Sequence, residues 1–170
     1  MTFNFDALST VVEAATRSAF TELATLSGKE KLYAFALYSD ESAMTLCPAA
    51  NTLEYFDDNA DEEDLAYYKF EPAEWKYEMQ GAEAAFDAIS RNLREAKKDA
   101  TFHQRLRETC VNVLANLKAE GFFRSLAGQE VFLLYSISDA DQEPEIIQDM
   151  IHRLNDNPYK QEYLNWINRL

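Results

Sequence analysis

Two nine-residue runs, 31–39 (KLYAFALYS) and 130–138 (EVFLLYSIS), constrain the fold of this chain more than any other feature. Both are apolar through the centre and rich in large side chains. A run of that kind reads as a strand covered on both faces, because opening either face would leave aromatic and aliphatic surface in water. The second reads as a central strand of the sheet. Residues 43–47 offer a return arm after the first, with Asp40, Glu41 and Ser42 as the turn and Pro48 ending the arm. The chain must also supply layers to cover both faces. With only 4 Gly and 4 Pro in 170 residues, against a usual share of about 12%, its elements are long and mostly helical. Collagen-like and all-β architectures are excluded on the same ground.

Apolar stripes place the helices. Leu8, Val12, Ala15, Ala19, Leu23 and Leu26 step by three or four before Gly28 stops the pattern. Pro72 is positioned to open a helix through Glu74, Trp75 and Glu78, and Phe86, Ile89 and Leu93 form another stripe. Thr101 and Gln104 match a capping box ahead of a long helix from Phe102 to Glu120. Gly121, Phe122 and Phe123 read as a turn, and Pro144 precedes a helix carrying Ile147, Met150, Ile151 and Leu154. A short last helix follows Asn157 and Pro158. The expectation is one α+β domain over residues 1–170: a small, mostly antiparallel sheet of about three or four strands packed against several helices.

Composition narrows the classes of function. With 47% hydrophobic residues and 2 Trp, 9 Tyr and 11 Phe, the chain has enough apolar surface to fold. The formal net charge is −14, which opposes binding to nucleic acid or an anionic membrane and favours a basic protein partner. No window approaches a membrane span, and MTFNFDALST lacks a basic segment followed by an apolar one, so a cytoplasmic protein is expected. Cys47 and Cys110 sit in apolar stretches far apart, as reduced buried thiols do. No GxSxG, Walker loop, GxGxxG, HExxH or zinc-spaced CxxC occurs; the common motif-bearing enzymes have no support, and no cofactor is implied.

Several phrases in order, YAFALYSDES, CPAANT, YYKFEPAEWKYE, a helix ending EGFF, and VFLLYSISD, resemble the bacterial domain of unknown function 4303 family over nearly the whole chain. The most specific parts are Pro48, Ala49, Ala50, Asn51 and Thr52, then Pro72, Ala73, Glu74, Trp75, Tyr77 and Glu78. The resemblance implies a bacterial, cytoplasmic α+β protein and carries no established reaction or catalytic residues. Other small acidic bacterial domains include immunity proteins that neutralise toxins, which is an analogy at the level of class.

Two candidate sites stand out. Glu54, Asp57, Asp58, Asp61, Glu62, Glu63 and Asp64 put seven acids in eleven positions. Tyr55, Phe56, Tyr67, Tyr68, Phe70, Trp75 and Tyr77 lie in or just after that run. Tyrosine and tryptophan beside charge are the composition of a protein-binding surface, here Asp57, Asp58, Asp61, Glu62, Glu63, Asp64, Tyr67, Tyr68 and Trp75. The ordinary alternative is a solvated acidic face with the aromatics in the core. The acids match no EF-hand spacing, so no metal site is expected. The second candidate is a polar pocket at the strand ends built from Asn51, Glu74, Trp75 and Asp139, suiting an enzyme or small-ligand binder. Glu74 and Glu78, four apart, invite an acid–base pair if that segment is helical. Arg91, Arg94, Lys98 and Arg105 would make a basic ridge on a continuous helix; alternatively they pair with the acidic half, since residues 1–80 carry −11 and residues 81–170 only −3.

Overall fold

The structure, a computed structural model, describes residues 3–55, 62–138 and 143–169. Asn4 caps the first helix, α1 (Phe5–Leu26), its Oδ1 accepting from Ala7 N at 3.0 Å. The buried stripe of α1 follows its periodicity through Leu8, Val12, Ala15, Ala19 and Leu23, whereas Leu26, in the last turn, is 60% exposed. Strands β1 (Leu32–Asp40) and β2 (Leu46–Thr52) form an antiparallel hairpin. After a short 3-10 turn (Leu53–Tyr55) come α2 (Glu62–Phe70), a second 3-10 turn (Pro72–Glu74) and β3 (Tyr77–Glu78). The rest is α3 (Glu83–Glu95), α4 (Phe102–Ala119), α5 (Phe122–Ala127), β4 (Phe132–Ser138), α6 (Pro144–Leu154) and α7 (Tyr159–Ile167).

The sheet runs β3-β2-β1-β4, with β1 and β4 parallel and the other two pairings antiparallel. Helices lie on both faces. On one, Phe20 of α1 and Phe123 of α5 meet Phe35 at 5.4 and 5.6 Å between ring centres. On the other, Phe132 packs against Phe70 of α2 and Tyr163 of α7 at 5.4 and 5.3 Å.

The structure differs from the sequence reading at several points, each with a physical reason. Pro48 does not end the return arm; it lies inside β2, opposite Leu37. Its carbonyl accepts from Met79 N at 3.0 Å, so its missing N–H faces the end of the two-residue β3 and costs β1 no ladder bond. The 121–123 segment is not a plain turn: Gly121 leads into α5, which carries Phe123 into the core. The capping box at Thr101 is not used, because its hydroxyl donates to Asp99 Oδ1 at 2.8 Å.

Strand β4 is an edge strand rather than a central one. Its outer edge is closed by a side chain: Leu133 N donates to Asn155 Oδ1 and Asn155 Nδ2 donates to Leu133 O, both at 2.8 Å. Asn157 Nδ2 does the same to Val131 O at 3.3 Å. A buried amide thus stands where a fifth strand would pair, removing an adhesive edge. Replacing Asn155 with Leu leaves a buried N–H and C=O unpaired. The expected cost is about 3 kcal/mol in urea unfolding, against a few tenths for Asn165→Leu on the α7 surface.

Candidate functional site

Residues 66–78 form a strap across one end of the sheet, and Asn51 at the end of β2 holds it. The register of β1 against β2 shifts between Leu32 and Ala34, leaving Tyr33 as a bulge. Its hydroxyl accepts from Asn51 Nδ2 at 3.1 Å and donates to Lys69 O at 2.7 Å. Asn51 Nδ2 also reaches Tyr68 O at 3.4 Å, while its Oδ1 accepts from Thr52 N at 3.0 Å and Lys76 N at 3.3 Å. The residue is fully buried, and its amide links β1, β2, the last turn of α2 and the segment before β3. The Lys76 ammonium reinforces the strap by pairing with Glu30 at 2.5 Å, where Thr52 Oγ1 also donates at 2.8 Å. Lys69 extends the hold to α7, pairing with Glu162 and lying 5.1 Å from the Tyr159 ring.

The aromatic residues of this region divide. Tyr55, Tyr67 and Tyr68 are 48%, 43% and 40% exposed, and the last two rings meet edge to face at 5.7 Å. Phe70, Trp75 and Tyr77 are buried. Trp75 therefore cannot serve as a surface anchor: the 3-10 turn opened by Pro72 folds its indole inward. Glu62, Glu63 and Asp64 form the first turn of α2, whereas Asp57, Asp58, Asp61, the neighbouring Phe56 and Asp139 lie outside the described residues. Tyr67 Oη donates to Glu74 Oε1 at 3.4 Å, and partial burial followed by the charges of Glu74 and Glu71 raises its pKa.

Of the polar-pocket residues, Asn51 lies beside the segment that carries Glu74 and Trp75, and Asp139 lies outside the described residues. Asn51 pairs with Ala34 near the start of β1, whereas Ser136 and Ser138 pair with Tyr38 and Asp40 near its end. Four residues of strand separate Ala34 from Tyr38, about 13 Å. Every hydrogen-bonding position of the Asn51 amide is moreover spent inside the fold. Nor do Glu74 and Glu78 share a helix face, since the chain is extended at Trp75 and Glu78 belongs to β3. A helix there would break the backbone pairing of β3 with Ala49 and Ala50. Glu78 instead accepts from Tyr38 Oη at 2.5 Å, a contact that sequence spacing does not reveal. Burial and then the Glu78 hydrogen bond hold that phenol well above its ordinary pKa. Cys47, on the same sheet face, is pushed up to about 11 by burial and nearby carboxylates, which leaves a protonated thiol rather than a nucleophile.

Helix α3 ends at Glu95 and α4 begins at Phe102, so the basic residues between 91 and 105 do not form one helical ridge. Among the described residues, the long-range pairs between the acidic half and the rest, Arg17–Glu120 and Lys69–Glu162, take their cation from the acidic half, opposite to the expected direction. Among the described residues, no group of three or more His, Cys, Asp or Glu is placed to hold a metal ion, and no helix is long and apolar enough to cross a membrane.

The fold is an α+β domain whose strap is held by buried polar contacts and leaves Tyr67 and Tyr68 exposed. The model of domain of unknown function DUF4303 matches residues 12–156, and the chain belongs to that family. No curated protein and no solved structure matches it.

The Glu30 clip gives a pH prediction with a definite sign. The hydrogen bond from Lys76, with that from Thr52, holds the Glu30 carboxyl below its ordinary value. Its contribution is complete above the unfolded-state value of about 4.3 and is lost as pH falls through the depressed folded value. NMR titration should show the Lys76 and Thr52 amides shifting in that acid window. Glu30→Gln should abolish the transition and leave the amides of β1 unchanged.

Proposed function

We propose that this chain works by binding a protein, that the binding surface is the acidic, tyrosine-bearing face of residues 53–78, and that the partner is basic. The observation that carries this reading is the exposure of Tyr55, Tyr67 and Tyr68 on one segment rich in carboxylates. Exposed tyrosine on a pinned backbone offers large contact area at small entropic cost. The net charge of −14 favours rapid encounter with a basic surface. An immunity or antitoxin-like role in a bacterial cytoplasm is the most concrete form of the proposal. An enzymatic or small-ligand role based on Asn51, Glu74, Trp75 and Asp139 has less support, because the Asn51 amide is consumed internally and the strand ends it needed lie apart.

The test starts from a tagged chain recovered from its native host, followed by affinity measurement on the identified partner. Tyr67→Ala and Tyr68→Ala should each weaken binding about thirty-fold, the equivalent of a hot-spot loss of about 2 kcal/mol. Neutralising Asp57, Asp58, Asp61, Glu62, Glu63 and Asp64 to Asn or Gln should slow association and flatten its salt dependence. A partner bound equally well by all these variants would place the contact elsewhere.

A further inference from the structure

A corner of opposite charge lies where α3 passes into α4. Among the described residues, Arg91, Arg94, Lys97 and Arg105 form no ion pair, although the chain holds 30 acidic residues. The break between the helices gathers part of this group around three rings. Phe3, Phe5 and Phe102 meet at 4.9 to 5.1 Å. The Arg105 guanidinium lies 4.2 Å from the centre of the Phe5 ring, and Lys98 Nζ lies 5.6 Å from that of Phe102 while donating to Leu93 O at 2.9 Å. Arg94 adjoins Leu93, with Arg91 one turn earlier on the same helix face.

At the start of α4 the Asp99 carboxylate accepts from Thr101 Oγ1 and N at 2.8 and 2.9 Å, and these bonds, then the charge of Arg105 and the Phe102 N–H, hold it below its ordinary pKa. The planar guanidinium fork suits two-point recognition of a planar oxyanion.

We propose that this corner, formed by Arg91, Arg94, Lys98 and Arg105, is a docking site for an acidic peptide segment of another protein, its carboxylates received by the arginine edges. The cations are spread over two helices and their linker, as a polymeric acid requires, rather than being confined to one loop. Nucleic acid fits less well: Phe5 and Phe102 are 8% and 2% exposed, so the rings support the cations and leave no stacking platform. The acidic charge elsewhere does not veto the contact, since at physiological salt charges more than about 8 Å away are largely screened. This site is independent of the tyrosine-bearing face.

The test uses fluorescence anisotropy of a labelled twelve-residue glutamate peptide with the full chain at physiological salt. Saturable binding should weaken at least tenfold in Arg94→Ala/Arg105→Ala and by a smaller factor in Arg105→Lys, which keeps charge and loses the planar fork. Arg124→Ala on α5, where the cation already pairs with Glu130 beyond the helix, should bind as wild type. Peptide-induced NMR shifts should centre on residues 91–105, and melting temperatures should verify that the variants fold. Absence of peptide binding to the wild type, equal affinity in the double variant, or displacement of the peptide by equimolar inorganic phosphate would overturn the proposal.

Discussion

Burial of β1 on both faces is the constraint from which the rest of the structure follows. From Leu32 to Leu37 no side chain is more than 2% exposed, and a strand so covered needs a layer on each side. On the side of α1, α4 and α5 the filling is aromatic and aliphatic. On the other side the sheet presents Ala34, Ala36 and Ala49, all fully buried. Phe70, Phe132 and Tyr163 fill the space at one end of that side. The second layer is thin, and it is secured to the sheet as much by polar contacts as by apolar area.

Asn51 shows why polar contacts suffice. A buried amide is costly only when its groups lack partners, and here both the oxygen and the nitrogen are shared among four segments. The outcome is a strap fixed to the sheet end while Tyr67 and Tyr68 remain exposed. The same device recurs at the opposite edge, where Asn155 satisfies β4. In both places a buried asparagine amide satisfies backbone groups that no strand pairs: at the approach to β3 for Asn51 and along the outer edge of β4 for Asn155.

Much of this architecture was legible in the sequence because it follows from periodicity. The stripes of α1, α4 and α6 mark buried faces directly, and the two apolar runs identify β1 and β4. What periodicity could not show was long-range pairing. Pro48 marked the end of a strand because the direction of its missing N–H depends on β3, a partner thirty residues away. Pro72 and Glu74 suggested a helix because the claim of β2 on Tyr77 and Glu78 is invisible locally. The continuous apolar character of β4 implied a central position, yet an amide can close an edge as a strand does. At the candidate site, Tyr67 and Tyr68 were legible as residue types, whereas the inward turn of Trp75 and the roles of Tyr33, Glu30 and Lys69 depended on the fold.

Two surface regions carry the proposals, the tyrosine-bearing strap and the cations at the α3–α4 junction. The central claim is that the Asn51 amide makes the strap a preorganised platform rather than a mobile loop. Hydrogen exchange read by mass spectrometry, comparing wild type with Asn51→Leu, tests it most directly. Residues 66–78 should be protected in the wild type and exchange at least a hundredfold faster in the variant, with α1 and α4 unchanged. Rapid exchange of 66–78 in the wild type, or unchanged protection in the variant, would contradict it.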